Sequence, residues 1–175
     1  MQGRNLFLTI LLLSATAAGA TQFQAFDRSS QVEASDLILV GRVISTRSGW
    51  NEGGGGIHTD AEVAIHEVWK GLPSSERIVV RTPGGIADDV EYAVDGGAAL
   101  HEGETVVLFL EEDGETYRPF GMTFGKYSVE GSRDGAFLVG NLPPAVTGAQ
   151  SFEVVSIVLE DLRREVEAIL EGDRR

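Results

Sequence analysis

The sequence predicts a mainly β fold: a small barrel of five to six strands, with a short helix before it and an amphipathic helix at its C-terminal end. Three observations lead there. From Ile57, residues Ile57, Thr59, Ala61, Val63 and Ile65 fall on one face, and His58, Asp60, Glu62, Ala64 and His66 on the other. That two-residue period belongs to a half-buried strand. Leu37–Val40 and Thr105–Leu110 are instead apolar on both sides, as strands buried on both faces are. From Val155 the apolar residues Val155, Val158, Leu159, Leu162, Val166, Ile169 and Leu170 recur at helical spacing.

Residues 1–20 form a targeting segment. Arg4 precedes the apolar run Leu6–Leu13, and Ala18-Gly19-Ala20 supplies a small-residue cleavage site before Thr21, with Ala15-Thr16-Ala17 as a second option. Processing leaves a single domain over 21–175, about 155 residues, enough to bury roughly two-thirds of its surface. The chain contains no cysteine, so an exported protein of this kind relies on its core and not on disulfides. No second stretch is long and apolar enough to span a bilayer. The expected location is the periplasm or the extracellular medium, with no membrane attachment after signal removal.

The net charge of −13 becomes −14 once Arg4 is removed, and lysine occurs only at Lys70 and Lys126. Such a surface repels nucleic acid and anionic membranes, so a nucleic-acid partner is excluded.

Ser29–Ala34 suits a short helix, with Ser30 as cap and Glu33 three residues on. The first long strand starts at Leu37, and Gly41 marks a bend or a close backbone approach within it. The strand from Ile57 loses its alternation at Glu67, which predicts one extra residue, a bulge, nearby. Arg77–Thr82 is a short strand stopped by Pro83-Gly84-Gly85. Ile86–His101 is irregular and acidic, with a short strand at Tyr92–Val94. Thr105–Leu110 is central, and Asp113-Gly114 turns the chain into Thr116–Phe120, where Pro119 demands an edge. Lys126–Val129 and Ala136–Val139 form a hairpin around Asp134-Gly135, and Asn141–Gly148 is a loop. The last helix spans 151–171, capped by Ser151 and stopped by Gly172. Val63, Ile65, Val107 and Phe109 or Leu108 are expected to pack together in the core.

The series ASDLILVGRVIS, EVWKG, IVVRTPGG and EGETVVLFL resembles a group of exported, mostly uncharacterised bacterial proteins. Its order of elements is similar to the netrin-like or metalloproteinase-inhibitor branch of the OB fold, over about Asp36 to Gly131. The resemblance implies an OB-like, netrin-like barrel. Inhibitors of that family chelate the protease zinc with an N-terminal cysteine. This chain has none, so any inhibition would proceed without cysteine-mediated chelation.

No residue is assigned a catalytic or cofactor-binding role. His66-Glu67-Val68-Trp69-Lys70 opens like a zinc-protease motif but ends in lysine, and a strand sets its ends about 13 Å apart. His101-Glu102-Gly103-Glu104-Thr105 lacks the second histidine, and Gly53–Gly56 lacks the lysine and helix of a phosphate cradle. His58 and Asp60 are the one close pair on the polar strand face, which reads foremost as a solvated surface. Asp88, Asp89, Glu91 and Asp95 are weak calcium candidates, being oxygen donors without EF-hand spacing.

Partner-binding candidates are Trp50, Asn51, Pro83, Asp88, Asp89 and Glu91, on the loops Ser48–Gly56 and Pro83–Gly97. Trp50 is either an exposed anchor or a lid folded over the core. The leading expectation is an exported, non-enzymatic module that binds an extracellular or periplasmic protein or glycan through these loops. The alternative is a regulator or inhibitor of a secreted protease, and a hydrolase with a dispersed site comes third.

Overall fold

The computed structural model describes residues 27–131, 136–142 and 153–173. The expected leader with its cleavage sites, the expected Asp134-Gly135 turn and the expected Ser151 cap lie outside the described residues. The fold is mainly β.

Strand β1 (Leu37–Trp50) and β2 (Ile57–Lys70) form a long antiparallel hairpin in which Trp50 faces Ile57 and Val43 faces Val63. Two extra residues, His66 and Trp69, interrupt β2 on either side of Glu67, and Ile44 is extra on β1. Bulges bend both strands, and Gly41 lies at the bend. A Cβ there would sit 2.6 Å from Val63 Cγ1 and 2.9 Å from the Ala64 oxygen, so only glycine fits.

Strand β3 (Arg77–Pro83) pairs with β2. The segment read as irregular contains a hairpin, β4 (Gly85–Ala87) and β5 (Val90–Tyr92), forming its own two-stranded sheet. Strand β6 (Thr105–Asp113) lies along the first half of β1, and β7 (Thr116–Pro119) folds back on β6. A parallel bridge from Val80 to Tyr117 joins β3 to β7, so β1, β2, β3, β7 and β6 form a ring of five strands. Beyond a 3₁₀ turn at Met122–Gly125, β8 (Lys126–Glu130), β9 (Phe137–Leu142) and β10 (Glu153–Val158) extend the sheet from β6.

Two cores share β1 and β6, which explains why both strands are apolar on both faces. Inside the ring pack Leu37, Leu39, Val43, Ala61, Val63, Ile78, Val80, Val106, Leu108 and Leu110, with Ile65 at the margin. On the other face Ile38, Val40, Val107, Phe109, Tyr127 and Leu138 lie beneath helix α1 (Arg28–Ala34) and helix α2 (Leu159–Gly172), joined by Trp69. Val107 and Phe109 therefore belong to the outer core and not beside Val63, whereas Leu108 does meet it.

The caps also differ from the sequence expectation. Asp27, not Ser30, caps α1 by accepting from the Ser30 amide at 2.7 Å. Lys70 Nζ donates to the Val32 and Glu33 carbonyls at the other end (2.7 and 3.0 Å), a cation where the helix dipole favours one. Arg28 lies over the Phe109 and Tyr127 rings (5.6 and 5.4 Å), donates to the Tyr127 hydroxyl at 2.7 Å and sits 3.4 Å from Glu165, tying α1 to α2.

The C-terminal helix begins at Leu159, not at residue 151. Glu153–Val158 is strand β10, and Val154, Val155, Ile157 and Val158 are β-branched residues that suit a pleated surface. Among the described residues no helix is long and apolar enough to cross a membrane.

Candidate functional site

The far end of the β1–β2 hairpin is where the candidate residues meet. Trp50 is the last residue of β1 and not part of the loop; the connection is Asn51–Gly56. The Asn51 amide donates to the Gly56 carbonyl (2.8 Å), and the Gly54 amide to the Asn51 carbonyl (2.9 Å). The Asn51 side-chain oxygen accepts from His58 Nδ1 at 2.8 Å, locking the turn to the strand.

The β4–β5 hairpin is seated on this end. The Gly84 amide donates to the Ile57 carbonyl at 2.7 Å. Thr59 Oγ1 donates to the Gly84 carbonyl at 2.7 Å, and because a hydroxyl has one proton, Ser48 Oγ must be the donor in its 2.9 Å bond to Thr59 Oγ1. Gly85, at φ +134, sits directly on these two hydroxyls, and a Cβ there would collide with both oxygens.

At the hairpin tip, Asp88 and Asp89 take left-handed conformations (φ 49 and 62) between the paired residues Ala87 and Val90. This is the geometry of a two-residue type I′ turn, which Asp tolerates better than most residues. Trp50 Nε1 donates to Asp88 Oδ2 at 2.9 Å, strutting the tip against β1. The indole is 44% exposed and is absent from both cores, so Trp50 is no lid over the barrel interior.

A surface cleft of about 470 Å³ lies between the hairpin and the ring end. Ser48, Thr59 and Thr82 form its polar part, with Pro83, Ile86, Glu91, Tyr92 and His101 around it. A smaller cleft of about 290 Å³ lies on the other side of Thr82, Pro83 and Ala98, near Arg81, Arg118 and Met122.

Trp50, Asn51, Pro83, Asp88, Asp89 and Glu91 are thus brought to one end of the molecule. Sequence reasoning missed Ile86, Val90 and Tyr92, which are 64%, 45% and 46% exposed on the hairpin. Their signal was the pair Asp88-Asp89 between two apolar dipeptide-scale segments, too short for a visible alternation.

The other candidates are not assembled. Among the described residues no three His, Cys, Asp or Glu side chains are placed to hold a metal ion, so Asp88, Asp89, Glu91 and Asp95 do not form a calcium cage. Asp60 lies 3.8 Å from His58 but is held by both Arg81 Nε and Nη2 (2.7 and 2.8 Å). The Arg81 bonds keep its carboxyl below the usual carboxylate range against the opposing effect of burial. Glu62 is likewise paired with Arg77 at 3.0 Å. The polar face of β2 is a row of cross-strand ion pairs. Compared with known proteins, the chain matches no family model and no curated sequence.

Proposed function

We propose that this chain is an exported, non-enzymatic binding module that engages a protein or glycan through the hairpin end of an OB-type, netrin-like barrel. The observation that carries this reading is the clustering of exposed apolar side chains. Trp50, Ile86, Val90 and Tyr92 are each at least 44% exposed and lie on or beside one hairpin, whose register puts Val90 and Tyr92 on one face and Ile86, opposite Glu91, on the other. Apolar groups gathered in this way mark an interaction surface, whereas single exposed ones such as Leu72 or Val158 need no explanation. The hairpin is also pre-organised, held by Thr59, Gly84 and the Trp50–Asp88 bond, so little order is lost on binding. The ring order β1-β2-β3-β7-β6, with its single parallel junction, supports the OB-type assignment. The charged start, apolar run and small-residue site of residues 1–20 support export.

The test is capture from the medium and periplasm of the exporting cells, using the wild type, Ile86→Ser, Trp50→Ala and the control Leu72→Ser, which lies at the opposite end of β2. The captured protein or glycan should be lost with the first two variants and kept with the third. Capture indifferent to Ile86→Ser refutes the reading. A captured protease whose activity falls on binding identifies the module as a regulator. N-terminal sequencing of the exported protein should begin at Thr21, or at Ala18 for the earlier site.

A further inference from the structure

Resting on that reading, we infer that the occupant of the hairpin end is a basic segment of a partner protein, with apolar side chains placed against Ile86, which shares its face with Glu91, and cationic ones toward the rim. Charge complementarity carries the inference. Glu52, Asp88, Asp89, Glu91 and Asp95 are all exposed around the patch and the cleft. None of the five has an ion-pair partner among the described residues. Elsewhere several carboxylates are matched, Asp60 with Arg81, Glu62 with Arg77, Glu67 with Arg163, Glu104 with Lys126 and Glu111 with Arg118, while others such as Glu76, Glu102 and Glu115 also lack an ion-pair partner among the described residues. At the hairpin end, then, five unmatched carboxylates coincide with exposed apolar side chains.

Three other occupants conflict with that field. A second copy of the chain brings a net charge of −13 against the same acidic rim. Nucleic acid and anionic lipid are repelled for the same reason. A neutral glycan fits the exposed aromatics but leaves the five carboxylates unanswered. A basic segment answers both features: lysine and arginine pair with the rim, and the exposed Tyr92 ring offers a face to a guanidinium. The cleft beside the hairpin, with the Ser48, Thr59 and Thr82 oxygens in its lining, gives one such side chain a place to enter.

The test pans a random-sequence peptide library on the purified exported protein and measures the enriched peptides individually. Enriched peptides should carry net positive charge and lose at least about tenfold in affinity when salt rises from roughly 0.05 M to roughly 0.5 M. The Asp89→Asn/Glu91→Gln double variant and Ile86→Ser should each weaken them about tenfold, and Leu72→Ser should leave them unchanged. All these positions are exposed, and unchanged thermal melting confirms that each variant is folded. Neutral or acidic peptides that bind and are lost with Ile86→Ser overturn the basic occupant while sustaining the binding end. Peptides indifferent to Ile86→Ser, or no enrichment at all, overturn both. A dimer that dissociates on Ile86→Ser overturns the inference in favour of self-association.

Discussion

Replacing Gly85 by alanine should detach the β4–β5 hairpin without unfolding the ring. The added Cβ collides with the hydroxyl oxygens of Ser48 and Thr59 and comes within 2.9 Å of Ser48 Cβ. It also forces an L side chain to φ +134, a conformation costing about 1–2 kcal/mol. Moving the two hydroxyls aside breaks the Ser48–Thr59 and Thr59–Gly84 bonds, at about 1 kcal/mol each. A seated hairpin would thus be destabilised by roughly 3–4 kcal/mol. That is comparable to the hydrogen bonds at its seat: those two bonds, the Gly84–Ile57 backbone bond and the Trp50–Asp88 strut. The cheaper response is for the hairpin to lift off. Native-state amide exchange reads this directly. The Ala87–Tyr92 amides should exchange on the order of 100-fold faster, while those of Val63 and Leu108 keep their protection. Unchanged exchange in the hairpin would mean that Gly85 is not its seat. An equal loss in the ring would mean that hairpin and ring open as one unit.

Val63→Ala and Phe109→Ala, one in each fully buried core, should cost about 2–4 and about 3–5 kcal/mol in urea denaturation; a cost below about 0.5 kcal/mol at either site refutes the two-core assignment. Asp89→Gly relieves a left-handed φ of 62 in the type I′ turn and should slow hairpin amide exchange, equivalent to about 0.5–1 kcal/mol, with faster exchange as the contrary result. Burial raises the Glu104 carboxyl pKa, but bonds from Lys126 Nζ (2.6 Å) and Ser128 Oγ (2.5 Å), with the His101 amide, lower it further and leave it below 4.5. Because the folded value is depressed, this stabilisation is complete above the unfolded value and is lost as pH falls through the folded one. The melting temperature of Glu104→Gln should therefore depend less on pH than that of the wild type below about pH 4.5, and parallel curves would refute the assignment.

What the sequence revealed follows from the physics each pattern reports. Alternation from Ile57 to Ile65 identified the inward face of β2, because only one side of that strand meets the ring interior. The doubly apolar runs 37–40 and 105–110 showed burial on two sides, yet a strand apolar on both faces does not say which face meets which layer. Val107 and Phe109 were for that reason put in the wrong core, one residue out of phase with Val106 and Leu108. At the C-terminus, Val155, Val158, Leu159 and Leu162 satisfy helical spacing while the first two belong to a strand. β-Branching was the arbitrating signal there. Of the site, the two loops and Trp50 were legible. The hairpin was not, because strands of three residues interleaved with Asp and Glu show no period. The Ser48–Thr59–Gly84 clamp joins positions distant in sequence and depends on register, which a linear pattern does not contain.

Burial along β1 divides the molecule. Leu37 to Gly41 are all buried, serving the ring on one face and the helix-covered layer on the other. Past Val43 none of the residues up to Trp50 is fully buried, although β1 still pairs with β2 as far as Trp50 and Ile57. Beyond Val43, β1 is therefore held mainly by its pairing with β2, and β4–β5 is mounted on this part of the hairpin, whereas the facing half of β2 still pairs with β3 and buries Ile57 and Ala61. The β1 side chains from Ile44 to Trp50 contribute little to either core, so exchanging them alters the surface at small cost to the fold. The position of a substitution along this single strand then sorts its consequence. Ile38 or Leu39 replaced by alanine opens a cavity in one core or the other, and the loss appears in global stability. Trp50 replaced by alanine removes one hydrogen bond to Asp88 and an exposed ring, and the loss appears at the hairpin end, where exposed apolar side chains and five of the unpaired carboxylates lie.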